Sequence, residues 1–284
     1  MNEYFEKIME IKGAADLCNL VKRWDILSDN ITKRAPDAPI VLPDIFLYTR
    51  PGFGNTRILD LIAEYLNSKK NLMSFYGDVK FFEFKLDYCR PDSEFRELYR
   101  FMESVQVAAG FRSEFKGIIR INIDEWVGHQ SEKHFLDFLQ YLEINTAYWL
   151  IILSVSNYEN VEDCSELEAV VSMYLRLETV RISIPDNKDL AEFASEYLGK
   201  YGFELDSSAK ELICASLDVL RKNKYFYGFH TIKDMCNDIV YSLFSKEAVV
   251  DKIITAEMLG DFSADSEYIG RTVVKFKKSG RIGF

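Results

Sequence analysis

Five short apolar runs, each followed by a stretch of helical periodicity, restrict this chain to one class of fold. The runs are IFLY (45–48), VKFFEFKLDY (79–88), GIIRINIDEW (117–126), YWLIILSVSN (148–157) and TVRISI (179–184). Their near-continuous apolar character predicts strands buried on both faces. Helices are expected over 56–66, 94–107, 131–144 and 165–175, the second capped by Asp92 and Ser93 after Pro91 breaks the strand. Parallel neighbours need crossover helices, so the alternation predicts an α/β fold: a five-stranded parallel sheet with helices on both faces. Residues 1–30 repeat apolar positions at helical spacing, with Gly13 separating two helices, and RAPDAPIVLPD (34–44) is a proline-rich connector.

After Pro185 the strand signals stop. Helices near 187–199, 207–222, 229–245 and 255–261 predict a small all-helical lid. The organisation expected is therefore a core over 1–185, a lid over 186–262 and a tail or short strand over 263–284, where RTVVKFKKSGRIGF alternates weakly.

The formal net charge is −10. That balance disfavours nucleic acid as a partner, since binding it needs a local basic patch and only short basic clusters occur. Five cysteines without a CxxC pair argue against a disulfide framework or a zinc site, and for a reducing cytoplasm. Cys214 and Cys236 read as core thiols. The acidic, amphipathic start MNEYFEKIME is no signal peptide, and no apolar run is long enough to span a membrane. His129, His134 and His230 lack metal-ligand spacing.

The stretch IFLYTRPGFGNTRILDLIAEYL (45–66) joins a buried strand to a helix through a glycine turn. A phosphate loop is built this way. Glycines let successive N–H groups turn inward, and the helix N-terminus favours an anion. Lysine then neutralises the β/γ-phosphates, and Ser/Thr holds magnesium, in the pattern GxxxxGK[ST]. Here Thr49 stands for the first glycine, Gly52, Phe53 and Gly54 form the turn, and Asn55 stands for the lysine, followed by Thr56 and Arg57. The third strand ends in Asp124 and Glu125. An acid pair at that place suits a magnesium–water shell (Asp124) and a water-polarising base (Glu125). Asn157 closes the fourth strand and could orient the same water.

In the order and spacing of these segments the chain resembles the AAA+ ATPase family of P-loop NTPases. IFLYTRPGFGNT is similar to that family's phosphate loop (Walker A), IRINIDE to its acidic strand, and Asn157 to its first sensor. The resemblance implies ATP or ADP with Mg2+ as ligand, Thr56 and Asp124 as metal contacts, and Gly52 to Arg57 as nucleotide contacts. It also implies Arg176, just before the fifth strand, as an arginine finger acting on a neighbour's nucleotide. Partners implied are copies of itself or another AAA+ subunit. The departures are Thr49, Asn55 and, in GFHTIKDM, Thr231 where the family's sensor-2 arginine belongs; His230 and Lys233 lie nearby. Two cationic phosphate contacts are missing together. This degenerate Walker A implies weak or absent nucleotide binding and ATPase, and a regulatory or scaffolding role in an AAA+ assembly. The alternatives are an active ATPase in which Arg50 or Arg57 supplies the charge, and a clamp-loader-like nucleic-acid-associated subunit.

Overall fold

The computed structural model describes residues 2–34, 40–69, 71–72, 81–89, 91–108, 117–156, 161–222, 226–245 and 252–259. The expected tail over 263–284 lies outside the described residues, as does Asn157. Two compact units are present. The sheet unit is Met1–Arg50 with Asn55–Ser183, and the helical unit combines Pro51–Gly54 with the described residues from Ile184 onward.

In the sheet unit, α1 (Glu3–Met9) and α2 (Ala15–Arg34) precede β1 (Asp44–Tyr48), α3 (Asn55–Ser68), β2 (Phe81–Lys85) and α4 (Pro91–Ala108). Then come β3 (Gly117–Asn122), α5 (Lys133–Asn145), β4 (Trp149–Val155), α6 (Val161–Val171) and β5 (Leu177–Arg181). The strands form one parallel sheet in the order β2-β3-β4-β1-β5. Side chains alternate across it because successive residues point to opposite faces. On one face Ile45, Leu47, Leu150 and Ile152 pack with α1, α2 and α3 residues such as Ile8, Trp24 and Tyr65. On the other, Phe46, Ile119, Ile121, Ile151 and Leu153 pack with Leu98, Phe138 and Leu167 of α4, α5 and α6. The expected doubly covered parallel sheet is thus the observed one.

Several local expectations are corrected. The third strand stops at Asn122, and Asp124–Trp126 form a 3-10 turn. The helix expected to be capped by Asp92 and Ser93 begins instead at Pro91, whose fixed φ suits a first helical turn. The helix expected over 165–175 runs over Val161–Val171 and ends in turns before β5.

The helical unit contains α7 (Asn187–Gly199), α8 (Ser207–Leu220) and α9 (Gly228–Phe244). Asp186 and Asp189 make a reciprocal capping box at α7, and Asp206 accepts the Ala209 N–H at 2.7 Å to cap α8. Leu190, Ala194, Leu217, Ile232 and Cys236 fill its core. It is not wholly helical. β6 (Glu204–Leu205) pairs in parallel with β7 (Ile253–Ile254). The helix expected over 255–261 is a run of turns as far as Leu259, and the rest lies outside the described residues.

Candidate nucleotide site

The C-terminal edge of the sheet carries most of the sequence-selected residues. β4 lies between β1 and β3, so the chain ends leaving β1 and β3 stand about 10 Å apart. Thr49, which follows β1, is fully buried and donates its N–H to Val155 O at 2.9 Å. Asn55 opens α3 and donates from Nδ2 to Thr49 Oγ1 at 2.9 Å. The two positions that depart from a phosphate loop are therefore bonded to one another. Asn55 Oδ1 is buried without a hydrogen-bond partner among the described residues. Thr56 and Arg57 are exposed on the first turn of α3, and Arg50 is exposed at the end of the β1 extension.

Asp124 staples two strand ends. Its Oδ1 accepts the Ser156 N–H at 2.5 Å, and its Oδ2 accepts from Asn122 Nδ2 at 2.9 Å and from the Ser156 hydroxyl. Three of roughly four carboxylate acceptor positions are thereby used. Glu125 is bonded to Lys85 Nζ at the end of β2, and its Oε2 accepts the Tyr88 N–H at 2.9 Å. The Lys85 ammonium, then the Tyr88 N–H, hold the Glu125 carboxyl below its ordinary range. Trp126 fixes the turn. Its indole N–H donates to Leu86 O at 3.1 Å, and its buried ring stacks on Phe135 with centroids 5.0 Å apart.

Lys85→Ala should raise the Glu125 pKa toward the usual glutamate value, read by carboxylate NMR titration. The pair is largely exposed, so stability should change by less than about 1 kcal/mol. An unmoved Glu125 titration would show that the Lys85 ammonium does not hold it.

Arg176 is not brought to this edge. It is exposed immediately before β5, and its carbonyl accepts the Asp44 N–H at 2.8 Å, at the N-terminal edge of the sheet. A five-residue strand puts about 15 Å between the two edges, so Arg176 serves no group at the C-terminal edge of its own chain.

The rest of the glycine loop belongs to the helical unit. Gly52 and Gly54 have φ of +84° and +82°, and Phe53 is buried among helical-core residues. Thr231, at the sensor-2 place, is buried, and its Oγ1 accepts the Tyr227 N–H at 2.8 Å. Lys233 lies over the Tyr197 ring at 6.0 Å, and His230 is beside Tyr227 at 5.3 Å.

Ser156 and Lys85 were not legible as site residues from sequence. Ser156 adjoins Asn157 at a strand end. Lys85 becomes visible only once β2 is known to lie beside β3, where Lys85 registers with Asn122. Among the described residues no cluster of three His, Cys, Asp or Glu side chains is arranged to hold a metal ion, and no helix is long and apolar enough to cross a membrane.

The sequence matches no protein-family model and no curated protein. Solved structures do match. One variant of Thermotoga maritima RuvB aligns with a TM-score of 0.52 at 12% identity, over 93% of this chain and 76% of that one. A second RuvB variant from the same organism gives 0.51 at 12% identity, over 93% and 77%. Domain III of the T. maritima replication initiation protein DnaA aligns at 0.44 and 13% identity, over 84% and 90%, too loosely to carry argument. The expectation that nucleic acid is a disfavoured partner is not borne out by these comparisons. At such identities the likeness concerns fold alone: the five-stranded parallel sheet with its helices is an α/β fold like that of AAA+ domains.

Proposed function

We propose that this protein is an AAA+-type subunit impaired in ATP hydrolysis, serving as a regulatory or scaffolding component beside copies of itself or an active AAA+ partner. The observation that carries this reading is the hydrogen bond from Asn55 to Thr49. A lysine at position 55 would meet the charge of a transferring phosphoryl group; a neutral amide turned onto its own loop does not. Removing one such transition-state contact costs about 3 kcal/mol, more than a hundredfold in rate.

The neighbouring groups support the same reading. Ion-paired to Lys85, Glu125 is a poor base for water. Asp124 has spent most of its acceptor capacity on Ser156 and Asn122, leaving little for a magnesium–water shell. Thr231 offers a hydroxyl already bonded to the backbone where a guanidinium would be needed. The residues present do not fit a tightly held Mg2+ and triphosphate, and weak or absent binding of ATP or ADP follows. Arg176, at the far edge of its own sheet, suits action on a neighbour's site.

The test is steady-state ATP turnover by the pure full chain with Mg2+, with Glu125→Gln as control. Turnover indistinguishable between the two is expected. Robust magnesium-dependent turnover abolished by Glu125→Gln would overturn the reading and favour an active ATPase using Arg50 or Arg57.

A further inference from the structure

We infer that the seam between α7 and α9 is a docking surface for a short acidic segment of a partner protein, one that carries an aromatic or aliphatic residue about five positions from its acids. The seam lies within the helical unit, and the inference is independent of the nucleotide reading.

Helical spacing builds one side of the seam. Lys233, Asn237, Tyr241 and Phe244 follow one another on α9 at intervals of four, four and three residues, which sets them on one face about 16 Å long. Beside them run α7 and the residues just after it, in the same direction. The Phe193 ring meets Phe229 at 4.5 Å, the Tyr197 hydroxyl donates to Asn237 Oδ1 at 2.9 Å, and the Phe203 ring meets Phe244 at 5.3 Å.

The two ends differ in chemistry. At one, two ammonium groups converge on a single ring, Lys200 at 5.4 Å and Lys233 at 6.0 Å from the Tyr197 centroid. Neither is paired with a carboxylate among the described residues. The acids of the two helices, Glu196 on α7 and Asp234 and Asp238 on α9, each stand one residue from a seam position, about 100° round the helix. Toward the other end aromatic side chains are left in solvent. Tyr241 is 76% exposed and Phe244 61%, while Tyr201, 45% exposed, stands 5.8 Å from Tyr197.

Exposed aromatics grouped along one stripe mark an interaction surface, and tyrosine is enriched among the residues that dominate binding energy. Lysines that meet no acid of their own protein complement an anionic partner. Charge placement then selects the class. A nucleic-acid strand needs cations tracking its backbone along the whole groove, and α9 beyond Lys233 carries no Lys or Arg as far as Phe244. A peptide needs charge at one end only. An extended chain advances about 3.3 Å per residue, so about five residues reach from Lys233 to Phe244.

The experiment selects phage-displayed random dodecapeptides on the immobilised full chain. Peptides enriched on the wild type should carry Asp or Glu about five positions from an aromatic or aliphatic residue. In fluorescence anisotropy the leading peptide should bind Lys200→Ser/Lys233→Ser, and separately Tyr241→Ser, at least about fivefold more weakly. All three side chains are exposed, so the variants keep the fold. Selection on Lys200→Glu/Lys233→Glu should replace the acids by Lys or Arg. No enrichment, enriched peptides without acids, or a leading peptide that binds every variant equally overturns the inference. Tighter binding of an oligothymidylate than of any peptide would assign the seam to nucleic acid, and self-association lost in Tyr241→Ser would assign it to a second copy; either overturns it.

Discussion

Gly52→Ala is expected to destabilise the helical unit by about 2–5 kcal/mol, from a left-handed backbone that costs an L-residue about 1–2 kcal/mol and an overlap with packed backbone that costs about 1–3 more. The new methyl would lie 2.3 Å from Tyr227 O and 2.5 Å from Tyr227 C, both main-chain atoms that cannot swing aside. Gly54→Ala is the control. Its φ is +82°, but nothing lies within 4 Å of the added Cβ, so only the backbone cost of about 1–2 kcal/mol applies. Urea unfolding followed by far-UV circular dichroism, with the slope monitored for loss of two-state behaviour, separates the two. Equal losses in both variants would mean that the approach of Gly52 to α9 carries no energy.

Asp44→Asn is expected to stabilise the protein at alkaline pH and to flatten its pH dependence. Asp44 begins β1 at the N-terminal edge of the sheet, and its Oδ1 accepts the Ile151 N–H at 2.8 Å. Burial raises its pKa from 3.8 to about 7, against the smaller opposing effect of that hydrogen bond. The sign follows from proton linkage. Between these two values the folded state holds a proton that the unfolded state has released, so stability falls as pH rises from about 4 to about 7 and then levels. A shift of that size corresponds to about 4 kcal/mol at most. An asparagine keeps the acceptor for Ile151 and cannot ionise. The two proteins should therefore match near pH 4, and the variant should be the more stable at pH 8. A wild type that gains stability between pH 4 and pH 7 relative to Asp44→Asn would contradict this.

Much of the architecture was legible because the strands announce themselves twice. Phe46 with Ile45 and Leu47, or Ile151 with Leu150 and Ile152, gives an unbroken apolar run that only a sheet covered on both faces can absorb. The β6–β7 pair was not legible. Two residues in each strand carry no periodic signal, and the partners lie about fifty residues apart in sequence. The turns after Ile254 repeat apolar residues at helical spacing without forming a helix. The end of β3 was misplaced for a different reason. The Asn122 side chain bonds to Asp124, and Trp126 is drawn into the core beside Phe135, so the chain curls where its apolar content would have continued the strand.

The candidate site was legible residue by residue but not in its connections. Thr49 and Asn55 each stood out as a departure. Their mutual bond depends on a loop with two positive-φ glycines, a geometry that sequence spacing does not specify. Asp124 and Glu125 were selected for chemistry, yet their partners Ser156 and Lys85 come from neighbouring strands whose order the sequence does not state. Phe53 was placed among nucleotide contacts, whereas its ring belongs to the helical core.

The central claim is that Asn55, Asp124, Glu125 and Thr231 are engaged with groups of the protein itself where a nucleotide and its metal would need them. Isothermal titration of the wild-type full chain with ATP and with ADP, each with and without Mg2+, tests it most directly. The account predicts no saturable heat up to about 1 mM nucleotide, a free energy weaker than about −4 kcal/mol. Micromolar, magnesium-dependent binding of ATP to the unaltered protein would contradict it.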